Sequence, residues 1–454
     1  MMQIHFIAIG GSAMHSLALA MHKLGHKVTG SDDVIFDPSK SKLEAAGILP
    51  PTLGWFPDKI DKLLDRVVLG MQAQTKNPEL IKAQKLGLKI QSYPEFLAFM
   101  CRDKTRVVIA GSHGKTTITA MILHVLRYHD ISTDFMVGAP IPAVQQTLVI
   151  NDDHDFILLE GDEYLSSAMD SKSKFLWYHP EIALISGIAW DHVNVFPTFE
   201  NYLSQFEAFI LSIRQGGVLL YNEEDPVLKK IVESTDHPIK KIPYSTPDHV
   251  IDQGITYLDT PEGSLPLSIF GRHNLTNLAG AQWIAQLMGV DAADFHEAIP
   301  SFSGAAKRLE RLATGPTAFL FKDFAHAPSK VKATSLAVKN QYSAHKTLVC
   351  LELHTYSSLD PEFLKNYRQT LAAADQAIIF FDPEALKIKN RAPLNPETIQ
   401  QAFDHPSLIV FVDSNSLDQY LKGQDYTQRV LVMMSSGNFG GLDWEQLQSC
   451  IMNF

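Results

Sequence analysis

Cysteine is scarce in this chain of 454 residues: Cys101, Cys350 and Cys450 are the only three, and no CxxC pair occurs. Scattered thiols give no disulfide framework and point to a reducing compartment. Long hydrophobic runs are missing too. A spanning helix needs roughly 18 consecutive apolar residues, and no such stretch is present. The opening Met1-Met-Gln-Ile-His-Phe6 lacks the basic region and apolar core of a secretory signal. These absences lead to the expectation of a cytoplasmic protein with no membrane partner. Positive charge is also short, with 39 Lys+Arg against 50 Asp+Glu and a net charge of −11. Such a surface repels polyanions, which excludes nucleic acid as a partner and requires that any bound phosphate be held locally.

Apolar residues make up 45% and charged residues 20%, an ordinary globular composition. At about 150 residues per domain, the length suits about three domains. Short apolar runs alternate with amphipathic stretches, as in βαβ units. Strands are expected at Ile4–Ile9, Lys27–Thr29, Arg66–Leu69 and Leu88–Gln91, with a helix over Ser12–Leu24. The polar stretch Cys101–Thr105 reads as a linker. A second series follows, with strands at Arg106–Ala110, Phe156–Glu160, Ile182–Gly187 and Val218–Tyr221 and helices over Lys115–His129 and Phe199–Arg214. Residues 237–270 look like a small antiparallel insert, before a helix over Asn274–Met288. A third series begins near Arg311, with strands at Ala318–Phe321, Lys346–Leu353, Gln376–Phe381, Leu408–Val412 and Arg429–Met434. The expected fold is α/β: three consecutive α/β domains over residues 1–103, 104–310 and 311–454.

Two glycine loops carry the chemistry. The first, Ala8-Ile-Gly10-Gly11-Ser12-Ala13-Met14, follows a strand, and Asp32 lies 22 positions after Gly10. Glycines there let a backbone approach a diphosphate at a helix N-terminus, with an acid on a ribose about twenty residues on. Alanine at 8 and 13 degrades the pattern, so a diphosphate site and a plain strand–helix turn both remain open. The second loop, Gly111-Ser112-His113-Gly114-Lys115-Thr116-Thr117, sits between a β-branched strand and a helix. It is a shortened phosphate loop: backbone N–H groups cradle polyphosphate oxygens, the lysine supplies a mobile charge and the hydroxyl of Thr116 suits Mg²⁺. A strand then delivers Glu160-Gly161-Asp162-Glu163-Tyr164, carboxylates of the kind a hard cation takes.

The loop Gly-Ser-His-Gly-Lys-Thr-Thr resembles that of the Mur ligases, whose sequence there is Gly-Thr-x-Gly-Lys-Thr-Thr, and the likeness runs the length of the chain. The resemblance implies ATP-dependent amide formation in peptidoglycan synthesis, with ATP and Mg²⁺ on a central P-loop domain between Rossmann-like N- and C-terminal domains. It carries over as Glu160 and Thr116 on the metal, and as His192, in Trp190-Asp191-His192, on a second metal. The family's Asn in that segment is Ser186 here. Asn274 and Asn277, three apart on one helix face, correspond to adenine contacts, and Arg308 to an arginine reaching the γ-phosphate. Asp323 would hold the ATP ribose and His326 would face the phosphates, while Lys322 and Ala327 depart from the family's Asp and His. Lys115, His192, Arg308 and His326 are thus the expected catalytic groups. Gly10, Gly11, Ser12 and Asp32 would hold the uridine diphosphate of UDP-N-acetylmuramate.

The stretch between Lys174 and Lys229 contains no lysine. This resembles the branch of the family that activates UDP-N-acetylmuramate, whose members typically lack a carbamylated lysine there. Ser171–Pro180 and Met433–Gly441 look more like the members that take the tripeptide L-Ala-γ-D-Glu-meso-diaminopimelate than those that take L-alanine, so the tripeptide is the expected amine. An oxidoreductase would leave the Gly-Lys-Thr loop idle, and a regulatory P-loop NTPase would leave the first and third domains unused.

Overall fold

In the computed structural model the described residues are all but Gln72, Pro140, Pro142, Ala143, Gln145, Ala168, 191–194, Ala306, Lys307 and Asn390. The chain forms two compact units. One comprises Met1–Ile188, Phe199–Tyr244 and Trp283–Val290; the other comprises Ala189–Thr198, Ser245–Gln282 and Asp291–Phe454.

The first unit carries two parallel sheets. Strands β1 (Gln3–Ile7), β2 (Lys27–Ser31), β3 (Arg66–Leu69) and β4 (Ile90–Ser92) lie in the order β2-β1-β3-β4, all parallel. The chain reverses its winding direction at β1/β3, and the first glycine loop leaves β1 at that point. Open α/β sheets bind ligands at such a reversal, outside the carboxyl ends of the strands. The central sheet contains β5 (Thr105–Ala110), β6 (Asp134–Met136), β7 (Leu148–Val149) and β8 (Phe156–Glu160). After a two-stranded ribbon of β9 (Leu165–Ser167) and β10 (Asp170–Ser173), it is completed by β11 (Ile182–Ile185), β12 (Val218–Asn222) and β13 (Lys240–Tyr244). Its order is β13-β12-β11-β5-β8-β6-β7, so β5 is central, with β8 on one side and β11 on the other. Only the β6–β7 edge pairing is antiparallel.

The second unit contains an antiparallel meander of β14 (His249–Asp252), β15 (Ile255–Thr260) and β16 (Gly263–Leu267). Its main sheet has β17 (Glu310–Thr314), β18 (Ala318–Asp323), β19 (Lys346–Glu352), β20 (Gln376–Phe380), β21 (Leu408–Phe411) and β22 (Arg429–Met434), in the order β17-β18-β22-β19-β20-β21. Alternation along these strands feeds two cores. Phe321, Val349, Leu351, Val430 and Val432 enter one, and Leu320, Leu348, Cys350, Leu431 and Met433 enter the other. A sheet covered on both faces needs such near-continuous apolar strands.

The α/β reading holds, with mainly parallel sheets in the first, middle and last parts of the chain, antiparallel at the β6–β7 and β17–β18 edges. The antiparallel insert is smaller than expected. Lys240–Tyr244 leaves it to join the central sheet as a parallel edge, where the missing N–H of Pro243 breaks no interior ladder. Cys101–Lys104 forms a tight turn into β5 with Cys101 fully buried, and burial, aided by Asp134, pushes that thiol up to about 12. Among the described residues no helix is long and apolar enough to cross a membrane.

At the amino end of β5, Arg106 is buried and held in two-pronged fashion by Glu181, through Nη2 at 2.8 Å and Nε at 3.3 Å. Burial works against the Glu181 carboxylate, but Arg106 and Arg214 outweigh it and hold its pKa below the ordinary value. Glu181→Gln strands the guanidinium and should cost about 2 kcal/mol, less than a fully buried pair because Glu181 is partly exposed. The depressed pKa gives a sign. The contribution is complete above the unfolded-state pKa of about 4.3 and fades as pH falls toward the folded value. Denaturant melts of the two proteins should therefore differ at neutral pH and converge as the solution is made more acid.

Candidate functional site

β5 ends at Ala110, and the chain turns through Gly111–Gly114 into the helix Lys115–Tyr128. Gly111 and Gly114 have φ of +124° and +82°. A Cβ at Gly111 would lie 2.2 Å from Ser186 Oγ, so only glycine fits this turn against the end of β11. The Ser186 hydroxyl donates to the His113 carbonyl, its N–H donates to Ala110 O at 3.1 Å, and the Ser112 N–H donates to Gly187 O at 3.0 Å. Ser186 thereby sews the loop to the neighbouring strand. The helix after the loop has no acid in its first turn, leaving its positive dipole end uncompensated from within.

The carboxylates after β8 take separate partners. Glu160 accepts from the Thr116 hydroxyl and the Gly138 N–H. Asp162 pairs with Lys174 at 2.6 Å and accepts the Tyr164 N–H at 3.0 Å. Glu163, almost fully buried, meets Lys115 Nζ at 2.8 Å and accepts the Tyr202 hydroxyl at 2.9 Å. Lys115 also donates to the Gly111 carbonyl at 2.6 Å, folding back over its own loop. Burial alone would lower the Lys115 pKa, but Glu163, Asp162 and Glu160 reverse this and hold it above its ordinary value, so the ammonium is charged. The segment Ser171–Pro180 supports these acids. Lys174 fixes Asp162, and Phe175 stacks on Phe209 at 4.6 Å in the core beneath.

Thr116 and Glu160 put a neutral and an anionic oxygen side by side at the mouth of the loop, a donor pair that suits Mg²⁺. Among the described residues no group of three or more His, Cys, Asp or Glu could hold a metal unaided. Mg²⁺ usually completes such a sparse shell with substrate phosphates and water. His192 lies outside the described residues.

At the first loop, Asp32 turns inward. Its Oδ2 accepts the Gly10 N–H at 2.7 Å, and burial, opposed by that bond, holds its carboxyl above the usual range. In this structure Asp32 braces the loop. Ala8 has φ +67°, the left-handed conformation a glycine adopts without strain. Gly11 precedes the helix Ser12–Lys23, and Ser12 is exposed at its first turn.

The remaining expected residues belong to the second unit. Asn274 and Asn277 are buried in the first turns of the helix Arg272–Leu287, and the Asn274 amide donates to the Phe270 carbonyl at 3.0 Å. Asp323, at the carboxyl end of β18, accepts the N–H groups of Leu309 and Ala325, each at 2.6 Å. Burial raises its pKa against the pull of Arg308. The Arg308 guanidinium lies 4.7 Å from the Phe324 ring centre, and that ring meets His326 edge-on at 5.3 Å, so Arg308, Asp323 and His326 form one cluster. Lys322 alternates to the other face and stacks on Trp444 at 3.8 Å, while Ala327 is buried just before the helix Pro328–Gln341. The Ser435–Phe439 turn wraps Glu352, which accepts from the Ser435 hydroxyl and from the Phe439 N–H at 2.9 Å.

The fold adds Tyr202 and Gly138 to the site, neither of which the motifs name, and gives Glu163 and Ser186 definite partners there. Glu163 is visible in the acidic run; Tyr202, 39 residues farther on, carries no local signal.

A glycine-cornered lysine loop at the carboxyl edge of a parallel sheet, facing carboxylates on the next strand, defines a nucleotide-phosphate-binding α/β enzyme. The Mur ligase middle domain matches residues 109–285, and the Mur ligase family catalytic domain matches residues 3–105. The UDP-N-acetylmuramate–L-alanine ligase of Caldicellulosiruptor bescii is 30% identical over 399 residues, 85% of this chain and 84% of that one. The murein peptide ligase structure from Psychrobacter arcticus aligns with TM-score 0.62 and 23% identity, covering 100% of this chain and 99% of the other. The UDP-N-acetylmuramate–alanine ligase structure from Thermotoga maritima gives TM-score 0.67 and 19% identity over 99% and 98%. The chain belongs to the Mur ligase family and is an ATP-dependent amide ligase.

Gly111→Ala should remove ATP-dependent thermal stabilisation and lower stability by at least about 2 kcal/mol, since it adds a clash to a left-handed backbone. Differential scanning with and without ATP reads both effects.

Proposed function

We propose that this ligase activates the carboxylate of UDP-N-acetylmuramate with ATP and joins it to the α-amino group of an L-alanyl amine. The observation that carries the reading is the charged Lys115 folded over its own glycine loop, beside the Thr116–Glu160 oxygen pair. In this reading the loop N–H groups and Lys115 hold the γ-phosphate while the sugar carboxylate attacks it in line. A C–O–P link forms and the bond to ADP breaks. The amine nitrogen then attacks the acyl carbon, and phosphate departs carrying one of the former carboxylate oxygens. Positioning and charge stabilisation supply the rate, with no covalent enzyme intermediate. Thr116 and Glu160 would hold Mg²⁺, and His192, by family likeness, would reach a second metal; such ions neutralise phosphate charge when bound. By family likeness, Arg308 would reach the γ-phosphate, His326 would face the phosphates, and Asn274, Asn277 and Asp323 would contact the nucleoside. The Gly10–Ser12 loop takes the diphosphate of the sugar nucleotide, with Asp32 as its brace.

The two candidate amines offer the same reacting group, since free L-alanine and L-Ala-γ-D-Glu-meso-diaminopimelate both present the amine of alanine. They differ at the alanine carboxyl, which is free in one and amide-linked to the rest of the peptide in the other. Free L-alanine is the first reading, because the relatives at 30% identity are named for it. This moves away from the tripeptide that the motifs alone suggest. The tripeptide stays as the second reading on the strength of Ser171–Pro180 and Met433–Gly441.

Phosphate release, with product mass, decides between them in reactions containing ATP, Mg²⁺, UDP-N-acetylmuramate and either amine. Turnover with L-alanine supports the first reading, and turnover with the tripeptide alone replaces it with the second. Phosphate release indifferent to the muramate sugar would overturn both. Lys115→Ala should reduce ligation at least about 100-fold while leaving UDP-sugar binding, measured by calorimetry, nearly unchanged.

A further inference from the structure

The contacts of Glu163 are not explained by metal binding, the role its neighbour Glu160 fits. Its two oxygens point to two places. Oε2 meets Lys115 at 2.8 Å, and Oε1 accepts the Tyr202 hydroxyl at 2.9 Å. Because the Tyr202 proton goes to Glu163, the Ser112 hydroxyl, 2.7 Å away, donates to the Tyr202 oxygen. Ser112 belongs to the phosphate loop. A closed circuit therefore runs from the loop through Ser112, Tyr202 and Glu163 to Lys115 and back to Gly111. Tyr202 is fully buried in the helix Phe199–Ser212, held edge-on by Phe206 at 5.3 Å, so the anchor is rigid. Asp162 is committed to Lys174 and Glu160 to Thr116 and Gly138, while Glu163 is the acid in direct contact with the Lys115 ammonium.

We propose that Glu163, anchored by Tyr202 and Ser112, is a positioning residue that parks the Lys115 ammonium over the loop and releases it to the γ-phosphate when nucleotide binds. A carboxylate paired with the phosphate-binding lysine competes with the incoming phosphate. It therefore weakens ATP binding in the ground state while aiming the ammonium for the transition state. Ser112 ties the exchange to loop geometry, because any shift of the loop on binding nucleotide disturbs the bond to Tyr202. No bond to the substrate is made by Glu163, and no proton need move: one ion pair is exchanged for another.

The inference rests on Lys115 as the phosphate-binding lysine, which the Lys115→Ala protein tests separately. If that variant retains turnover, the functional reading fails whatever Glu163 does. With wild-type turnover as reference, Glu163→Gln keeps the shape and removes the charge. The expected result is a fall in KM for ATP of about threefold together with a fall in kcat of about tenfold, the joint drop that marks a lost ground-state interaction which also served positioning. KM for the UDP-sugar and the Mg²⁺ concentration for half-maximal rate should stay unchanged. Tyr202→Phe, which keeps the ring against Phe206, should move both ATP parameters in the same directions by a smaller factor, and it decides the matter if Glu163→Gln does not fold. An unchanged or raised KM for ATP in the folded variants would overturn the proposal. So would a raised Mg²⁺ requirement, which would make Glu163 a metal-binding group.

Discussion

The pairing of Lys115 with buried carboxylates is the interaction on which the rest of the site depends. A protein with a net charge of −11 has no general attraction for a triphosphate, so the attraction must be built within a few ångströms. Burial works against the charge of the lysine, and Glu163, Asp162 and Glu160 more than offset it. They could not do so from a flexible loop. Each is fixed by a partner of its own: Glu160 by Thr116 and Gly138, Asp162 by Lys174, Glu163 by Tyr202. The glycine loop is held just as firmly from the other side, by Ser186 at the end of β11. The site is therefore a contact between three adjacent parallel strands, β8, β5 and β11, expressed at their carboxyl ends.

The same logic recurs elsewhere in the chain. The first glycine loop leaves β1 where the four-stranded sheet reverses, and the Arg308–Asp323–His326 cluster sits at the carboxyl end of β18. Parallel strands covered on both faces send their loops to one edge, and that edge is where small groups of polar residues can be gathered without disturbing the cores.

Much of this is legible in the sequence because it is local. Arg66–Leu69, Phe156–Glu160 and Arg429–Met434 are strands of the expected extent, since buried parallel strands are short uninterrupted apolar runs. The lysine loop is legible from its glycines and its flanking strand and helix. Short edge strands such as Leu148–Val149 are not, because two residues carry no period. Lys240–Tyr244 reads wrongly as part of an insert because the proline that suggests one is tolerated on a parallel edge. The inward turn of Asp32 is hidden, since spacing alone does not tell a carboxylate that contacts a ribose from one that accepts a backbone N–H. Tyr202 is invisible for a simpler reason: its partners Glu163 and Ser112 are distant in sequence and meet it only in the fold. Strand alternation sends Lys322 to Trp444 and Asp323 to the cluster.

In the proposed reaction the lysine loop serves the attack of a substrate carboxylate on the γ-phosphate. The most direct test tracks an oxygen atom. UDP-N-acetylmuramate labelled with ¹⁸O in its carboxyl group, turned over with ATP and the accepted amine, should yield inorganic phosphate carrying one labelled oxygen per amide formed. Amide formation with unlabelled phosphate would mean that the carboxylate never reached the γ-phosphate, and would contradict the account.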